Sequence, residues 1–396
     1  MARPALEVAD IFVAHADSFL EKFGSAVSWA RRCVLNKLIA CRTSLLGGHV
    51  DRCDRCDYEK VSYNSCRNRH CPKCQATARA EWLEARARDL LDVEYFHVVF
   101  TVPPAIAEIA LQNKKVMYGI LFKASSQTLK TIAADPKHLG AKIGFLSILH
   151  TWGQNLMHHP HIHCIVPGGG ISPDGKRWIS CPPGFFLSVR VLSAVFRGKF
   201  IEMTRRAFAN GELEFQGHLE ELDDPELFEA HLRTALVNEW VVYAKRPFGG
   251  PKQVLKYLAN YTHRVAISNH RLVSMRGGRV RFRVRDYARG SRKRTLALDA
   301  VEFVRRFLLH VLPKRFVRIR HSGFLANSCR QKQLARCREL LGEEPPPDIS
   351  ADDGDAPDKS LACPKCEHGQ LRRFEFDPIN ERRVISDRTP ALIDSS

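Results

Sequence analysis

The sequence predicts an α+β protein in which a helical N-terminal module with clustered cysteines precedes a larger domain of strands and helices. Three observations predict this class. Apolar residues recur at helical spacing over residues 1–46. Buried strands are indicated at 94–102, 142–150 and 159–166, with prolines ending the first and third. Helical patterns occupy the remaining long stretches, about 76–91, 105–134, 189–209 and 227–244.

The composition points to a polyanionic partner. The chain has 396 residues, enough for two or three domains. It carries 61 Lys and Arg against 43 Asp and Glu, a net charge of +18, and such a basic protein needs a polyanion such as nucleic acid. No apolar stretch reaches the roughly 18 residues that span a bilayer, so we expect no membrane partner. Early acidic residues (Glu7, Asp10 and Asp17) argue against a signal peptide, which makes the cytoplasm the predicted location.

Two cysteine pairs near the N-terminus predict a zinc site. Cys53-x-x-Cys56 and Cys71-x-x-Cys74 are separated by fourteen residues, close to the spacing of four-cysteine zinc sites built from two tight turns. We therefore predict that these four cysteines bind structural Zn²⁺. The ligand set stays open, because two alternative ligands lie between the pairs: Cys66 and His70.

A further pair, Cys363-x-x-Cys366, follows a stretch rich in proline and aspartate that predicts a disordered linker. No partner pair lies nearby in the sequence. A metal site there would need one of three isolated residues, His368, Cys329 or Cys337, and a tail without metal is the alternative.

Four of the six residues from His158 to His163 are histidine. Alternate side chains of a strand face the same way, so His161 and His163 would point to one side, with Ile162 turned into the core. Two imidazoles can hold a divalent ion, Mg²⁺ or Mn²⁺, and leave positions for phosphate oxygens and water. Gln154 is the first candidate for a third ligand, with a turn-stabilising amide as its alternative; weaker candidates are Asn260 and His263.

Two tyrosines lie four residues apart on a short predicted helix, 251–261. At this spacing Tyr257 and Tyr261 share one helix face, and a phenol can act as a nucleophile. A free tyrosine has a pKa of about 10 and needs activation, which metal and nearby cations supply. Core packing is the alternative, and the basic surroundings favour catalysis. The predicted DNA-binding residues around the pair are Lys245, Arg246, Lys252, Lys256 and Arg264.

Positive charge is concentrated in the C-terminal half. Residues 245–338 hold 25 Lys and Arg against three acidic residues. Arginines alternate with apolar residues over 279–285, so they would line one face of a strand as a phosphate-binding track. Its predicted DNA contacts are Arg281, Arg283 and Arg285. Three aromatic residues could stack on bases, although core packing is the preferred interpretation for each: Tyr243, Tyr287 and Phe316.

Four stretches carry a family resemblance: SCRNRHCPKCQ (65–75), LHTWGQNLMHHPHIHCIVPGGG (149–170), YAKRPFGGPKQVLKYLANYTHRVAISN (243–269) and RIRHSGFLAN (318–327). Over about residues 8–340 the chain resembles the rolling-circle transposases of the IS ninety-one family of bacterial insertion sequences. The resemblance implies a zinc-binding domain followed by an HUH-type nuclease domain, a central antiparallel sheet flanked by helices. It maps the metal-binding triplet onto His161-Ile162-His163 and the nucleophiles onto Tyr257 and Tyr261.

The resemblance implies a DNA transposase that nicks and rejoins single-stranded DNA through a 5′-phosphotyrosine bond. Its implied partners are single- and double-stranded DNA at element ends and targets, the host replication machinery and a homo-oligomer, in the bacterial nucleoid. A plasmid replication initiator or relaxase with the same chemistry is the first alternative. A non-catalytic zinc-ribbon regulator is the second, and it leaves the histidines and tyrosines without a role.

The predicted domains follow from these assignments. They are a helical and zinc-binding domain (1–90), the nuclease domain (91–276), a basic DNA-binding extension (277–340), and a disordered linker with the Cys-x-x-Cys tail (341–396).

Overall fold

The computed structural model describes residues 4–184, 186–237, 240–248, 253–254, 265–286, 292–344, 362–377 and 387–388. No helix within these ranges combines the length and the apolar composition needed to cross a membrane. The α-helices of these ranges are α1 (Val8–Phe23), α2 (Trp29–Ala40), α3 (Gln75–Ala87), α4 (Pro104–Gln112), α5 (Lys114–Ala134), α6 (Val189–Ala209), α7 (Pro225–Leu236), α8 (Ala300–Leu309) and α9 (Arg330–Leu341).

The strands of the same ranges form four sheets. In chain order they are β1 (Gly48–Cys53), β2 (Glu59–Tyr63), β3 (Tyr95–Thr101), β4 (Gly144–Trp152), β5 (His158–Pro167), β6 (Gly169–Ile171), β7 (Trp178–Ser180), β8 (Val242–Phe248), β9 (Leu272–Arg276), β10 (Arg279–Asp286), β11 (Arg292–Asp299), β12 (Ile319–Gly323), β13 (Leu371–Phe376) and β14 (Asp387–Arg388).

The central sheet has the order β12-β4-β5-β3-β8, and every neighbouring pair is antiparallel. One face packs on helices α4 to α7 in a large apolar core, to which β5 contributes Ile162 and Cys164, both fully buried. The opposite face of β5 carries the histidines, as strand alternation requires. The predicted α+β class, with a central antiparallel sheet flanked by helices, is confirmed.

A second core joins the N-terminal helices to the basic segment. It contains α1, α2 and α8 together with the sheet β11-β10-β9. Phe12 of α1 meets Phe307 of α8 edge to face, with ring centroids 5.2 Å apart. Segments 1–90 and 277–340, predicted as separate domains, therefore share one apolar core.

The turn between β9 and β10 is a glycine pair with positive φ. Gly277 and Gly278 have φ of 56° and 69°, values that glycine adopts without steric cost and that suit a two-residue hairpin. This confirms the hairpin predicted from the glycine pair. The predicted domain boundary at 276/277 falls inside this hairpin, so it does not separate two folded units.

The C-terminal segment returns to the N-terminal module. β13 pairs with β1 over six residues, from Gly48 opposite Phe376 to Cys53 opposite Leu371, in a sheet of order β14-β13-β1-β2. Part of the region predicted as linker and tail, 362–377, is therefore a strand and a turn attached to β1.

The helix predicted over 227–244 is wrong in its second half. α7 ends at Leu236, and Val242–Phe248 forms β8, the edge strand beside β3. The β-branched and aromatic run of 241–243 favours a strand once β3 offers an unpaired edge, and sequence periodicity does not reveal that edge.

We predict that Phe12→Ala lowers the free energy of unfolding by about 3–5 kcal/mol, because it leaves a cavity in the core shared by α1 and α8. Urea denaturation followed by circular dichroism measures this. Trp29→Ala, at a site 75% exposed on α2, is the control. Equal losses in the two variants would contradict the shared core.

Candidate active site

Three histidines converge on the open face of the central sheet. His161 and His163 alternate on β5, and His150 of β4 lies directly opposite His161 in the antiparallel register. One ring nitrogen from each of the three lies within 4.8 Å of the others. A bulge after His150 shifts the register before Trp152 pairs with His158, which ends the regular pairing at this point.

Hydrogen bonds determine which ring nitrogen His161 and His163 direct toward the centre of the cluster. His161 donates through Nδ1 to the carbonyl of His159, at 2.7 Å. Nδ1 of His163 lies 2.8 Å from Nε2 of His97, a buried residue on β3. With Nδ1 engaged in both rings, Nε2 is the nitrogen that each ring would offer to a common ion, and such partners fix the orientation of metal-binding histidines.

This donor set fits a divalent metal ion. Three imidazoles on two rigid strands fill one side of a coordination sphere and leave the cleft side for other ligands. Imidazole nitrogens suit transition ions better than Mg²⁺, which prefers oxygen ligands, so of the two ions expected from the sequence Mn²⁺ fits better.

His150 supplies a third imidazole that the sequence did not predict, and Gln154 stays a predicted ligand. Gln154 lies in the loop after β4, lines the same cleft, and accepts a hydrogen bond from Arg271 through its backbone carbonyl. His150 was missed because it is a lone histidine at the end of a predicted strand. The sequence feature that indicates His150 is the position of the predicted strands 142–150 and 159–166 next to each other in the chain. Their antiparallel pairing places His150 opposite His161.

His158 and His159, considered as turn residues or DNA contacts, are both part of β5. Burial lowers the pKa of His158 to about 3, so its neutral ring accepts a hydrogen bond from the Tyr118 hydroxyl at 2.7 Å. The half-buried His158 is therefore bound to the fully buried Tyr118, whereas the exposed His159 lines the cleft.

A cleft of about 770 Å³ opens in front of the histidines. The sheet face forms one wall, and β10, β11 and α8 form the other. The second wall contributes three arginines: Arg285, Arg294 and Arg306. The alternation predicted for β10 is confirmed, since Val280, Phe282 and Val284 are buried while Arg281, Arg283 and Arg285 are exposed. Of these three arginines, Arg285 lines the cleft.

Two arginines hold the loop beside the histidines. Arg271 donates to the carbonyl of Gln154 at 2.6 Å, and Arg306 donates to the carbonyl of Asn155 at 3.2 Å. Glu302 bonds Arg306 at 2.6 Å and keeps it extended along α8. The sequence indicated a basic surface here but not that Arg294 and Arg306 belong to it.

Tyr243 lies at the cleft and is 51% exposed, so the core-packing interpretation is wrong for this residue. Phe316 is buried beside Tyr118 and Phe122, as expected. Tyr287 lies outside the described residues.

Both candidate nucleophiles, Tyr257 and Tyr261, lie outside the described residues, together with Lys252, Lys256, Asn260, His263 and Arg264. The backbone of Lys245 is described on β8, where it pairs with His97, and Arg246 follows it. Val254 is fully buried in a cluster with Ile148 and Ile165, which share the histidine face of the sheet. The described chain therefore reaches this face three residues before Tyr257.

The four cysteines predicted to share one zinc ion are divided between two clusters, and that grouping is wrong. Cys71 and Cys74 lie with Cys41, which follows α2, and with Cys66, while Cys53 and Cys56 lie elsewhere, with Cys363 and Cys366. In the first cluster, sulfur–sulfur distances are 3.5, 3.6 and 3.7 Å. These match the edge of about 3.8 Å expected for a tetrahedron with Zn–S bonds of about 2.3 Å. His70, the other alternative ligand, accepts instead from the amide of Leu312.

Two protein-family models match parts of this chain. A family model described as "Transposase zinc-binding domain" matches residues 11–102, and one described as "Putative transposase" matches 144–332. A Sinorhizobium fredii protein named "Putative transposase y4qJ" is 52% identical over 392 residues, 96% of this chain and 98% of that protein. The chain belongs to the IS ninety-one family of insertion-sequence transposases.

Two further similarities are more distant. The transposase for insertion sequence element IS801 of Pseudomonas savastanoi pv. phaseolicola is 26% identical over 317 residues, 78% of this transposase and 73% of that protein. A solved structure of the conjugative relaxase TrwC in complex with oriT DNA is 14% identical and covers 63% of this chain and 74% of that chain, with a TM-score of 0.24.

We predict that His97→Leu weakens divalent metal binding by the histidine cluster about 10–100-fold, because it removes the hydrogen-bond partner that orients His163. His97→Gln keeps an acceptor and is expected to retain more affinity. Isothermal titration with Mn²⁺ measures both, and His138→Leu, at an exposed histidine outside the cluster, is the control. Unchanged affinity in His97→Leu would contradict this role for His97.

Proposed function

We propose that this transposase nicks and rejoins single-stranded DNA through a 5′-phosphotyrosine bond during rolling-circle transposition. The observation that carries the proposal is the group of three histidines facing a cleft whose opposite wall is lined with arginines. A site of this kind binds a phosphodiester and leaves room for an in-line attack on phosphorus.

His150, His161 and His163 would hold a divalent ion, with Mn²⁺ favoured over Mg²⁺ by the donor set. When bound, the ion supplies positive charge to the scissile phosphate and to the leaving oxygen. His97 and the carbonyl of His159 keep two of the imidazoles oriented. The protein therefore presents a preorganised electrophilic site that costs little rearrangement during the reaction.

The nucleophile in this proposal is a tyrosine hydroxyl of Tyr257 or Tyr261. Its oxygen bonds to phosphorus, the bond from phosphorus to the 3′ oxygen breaks, the phenol proton leaves to solvent, and the 3′ oxygen takes up a proton from solvent to leave as a hydroxyl. The 5′ end stays attached to the protein. A 3′ hydroxyl attacking the same phosphorus reverses the step and rejoins a strand, so no nucleotide hydrolysis is required.

The second tyrosine would accept the next strand, so that cleavage and joining alternate. The burial of Val254 on the histidine face supports a tyrosine nucleophile at this site, because Tyr257 follows Val254 by three residues. The tyrosine spacing of four residues allows both phenols to share one helix face.

The cleft would bind the DNA strand through its phosphates and bases. Arg285, Arg294 and Arg306 offer guanidinium groups for phosphate oxygens, and Tyr243 offers an exposed ring on which a base can stack. Arg281 and Arg283 extend the charge along β10 beyond the cleft. We assign the single strand to the cleft and duplex at element ends or targets to this outer basic surface.

Cys41, Cys66, Cys71 and Cys74 would bind one structural Zn²⁺ within the zinc-binding domain. Four thiolates complete a tetrahedron and leave no position for substrate. Arg69, next to this cluster, donates to the carbonyls of Pro313 and Phe316 in the segment leading to β12. The zinc site would thereby fix the N-terminal module against the central sheet.

We predict that the purified protein, incubated with Mn²⁺ and single-stranded oligonucleotides covering the ends of its element, forms a covalent DNA–protein adduct. A denaturing gel with labelled DNA detects it. His161→Ala and the double variant Tyr257→Phe/Tyr261→Phe are expected to lose the adduct, because the first weakens metal binding and the second removes both nucleophiles. The amounts of adduct formed by the single variants Tyr257→Phe and Tyr261→Phe show which phenol contributes more.

His138→Ala is the matched control for His161→Ala and is expected to retain the adduct. Tight binding of single-stranded DNA without any adduct would overturn the proposed nuclease activity and favour a zinc-ribbon DNA-binding regulator. Adduct formation with a plasmid origin but not with element ends would favour the replication initiator or relaxase.

We predict that Arg285→Ala and Arg294→Ala each weaken single-strand binding and lower the slope of log affinity against log salt by about 1, the effect of one lost phosphate contact. Fluorescence anisotropy at several salt concentrations measures both quantities. Arg190→Ala, at an exposed arginine of α6 outside the cleft, is expected to change neither. Equal effects from all three substitutions would contradict a binding path through the cleft.

A further inference from the structure

Four cysteines from opposite ends of the chain meet beside the N-terminal sheet. Cys53 is the last residue of β1 and Cys56 lies in the turn that follows it, while Cys363 and Cys366 lie in the turn before β13. Their sulfur atoms all lie within 4.8 Å of one another. This cluster joins residues more than 300 positions apart, and the matched zinc-binding domain, 11–102, contains only half of it.

The distances within the cluster fit a metal ion better than disulfides. Sγ of Cys53 lies 3.7 Å from Sγ of Cys366, and Sγ of Cys56 lies 3.6 Å from Sγ of Cys363. A disulfide bond is about 2.05 Å long, so no covalent pairing is formed. The edge of a zinc–thiolate tetrahedron is about 3.8 Å for Zn–S bonds of about 2.3 Å, close to both distances.

The backbone around the sulfurs is arranged to stabilise thiolates. The amides of Arg55 and Lys365 donate to Cys53 and Cys363 at 3.3 and 3.4 Å, each two residues after its cysteine. The amide of Gly369 donates to Cys366 at 3.3 Å. Donors of this kind offset the negative charge that four thiolates bring to one zinc ion.

The two cysteine-bearing segments also form hydrogen bonds and an ion pair with each other, away from the sulfur atoms. Asp54 exchanges two hydrogen bonds with Gln370: its amide donates to the Gln370 carbonyl at 3.0 Å, and its carboxylate accepts from the Gln370 amide at 2.8 Å. Lys365 forms an ion pair with Asp57. Beyond the turns, Arg373 of β13 bonds the buried Asp51 of β1 at 2.7 Å.

One glycine shows how closely the turns approach. A Cβ atom at Gly369 would overlap the sulfur of Cys53 and crowd the carboxylate of Asp54. The position requires glycine because the C-terminal turn passes directly over the N-terminal cysteine.

We propose that Cys53, Cys56, Cys363 and Cys366 bind a second structural Zn²⁺ ion, which fastens the C-terminal segment 362–377 to the N-terminal module. Binding replaces the thiol protons by metal, with no change of oxidation state. The site is closed, with four thiolates and no position for substrate, so its role is to hold β13 on β1. The proposal does not depend on the nuclease chemistry.

The test counts zinc in the full-length protein. A His161→Ala/His163→Ala background keeps the histidine cluster from contributing metal. Inductively coupled plasma mass spectrometry is expected to find two zinc ions per chain in this background and one after the further change Cys363→Ser/Cys366→Ser. The control Cys33→Ser/Cys329→Ser removes two half-buried cysteines outside both clusters and is expected to keep two zinc ions.

Gly369→Val provides a second variant that keeps all the thiols. It is expected to lose the same single ion, and hydrogen exchange is expected to accelerate in 371–376 but not in β4 and β5. An unchanged zinc count after Cys363→Ser/Cys366→Ser, or a disulfide between these cysteines, would each overturn the proposal.

Discussion

The antiparallel register of β4, β5 and β3 is the constraint on which the active site depends. It places His150 opposite His161 and brings His97 to the ring of His163. A slip of one residue in β5 would turn His161 and His163 into the apolar core and expose Ile162 and Cys164. The core on the helical face prevents this slip, since Ile162 and Cys164 are fully buried among α4 to α7. The geometry of the histidine cluster is thus maintained by apolar packing on the other side of the sheet.

The second core has a comparable effect on the wall with the arginines. Val280 and Phe282 are fully buried against α8 and the N-terminal helices, so the arginines of β10 turn outward. Neighbouring arginines repel one another, and only tight packing of the apolar face can hold them together without a bound polyanion. α8 adds Arg306, whose position is set by Glu302, and the nearby arginines keep the pKa of that carboxyl at about 2. Because α1 packs on α8, the N-terminal module takes part in shaping the arginine-lined cleft.

The features of the fold and of the site that depend on local residue spacing could be predicted from the sequence. The alternation in His161-Ile162-His163 and in 279–285, and the glycine pair of the hairpin, correspond to single strands or turns and were predicted from them. Residue spacing alone does not reveal His150, Arg294 or Arg306. His150 joins the site through the pairing of β4 with β5, and Arg294 and Arg306 join it through the packing of elements distant in sequence. The cysteine grouping failed for the same reason: two pairs with suitable spacing were joined, although each has its partners elsewhere, at Cys41 and Cys66 or at Cys363 and Cys366. Spacing identifies a metal-binding turn but not the second turn that completes its site.

The cysteine clusters and the histidine cluster differ in the number of donor atoms that they offer to a metal ion. Each cysteine cluster offers four sulfurs, which satisfy a tetrahedral ion completely, whereas the histidine cluster offers three nitrogens and opens onto the cleft. Thiolate sites bind zinc tightly and exclude substrate, while an incomplete imidazole site exchanges its remaining ligands for phosphate oxygens. Both cysteine clusters involve the N-terminal module, one connecting α2 to the turn before α3 and the other connecting β1 to β13. In this arrangement the two cysteine sites would keep the framework rigid. Of the three clusters, only the histidine cluster would take part in the reaction with DNA.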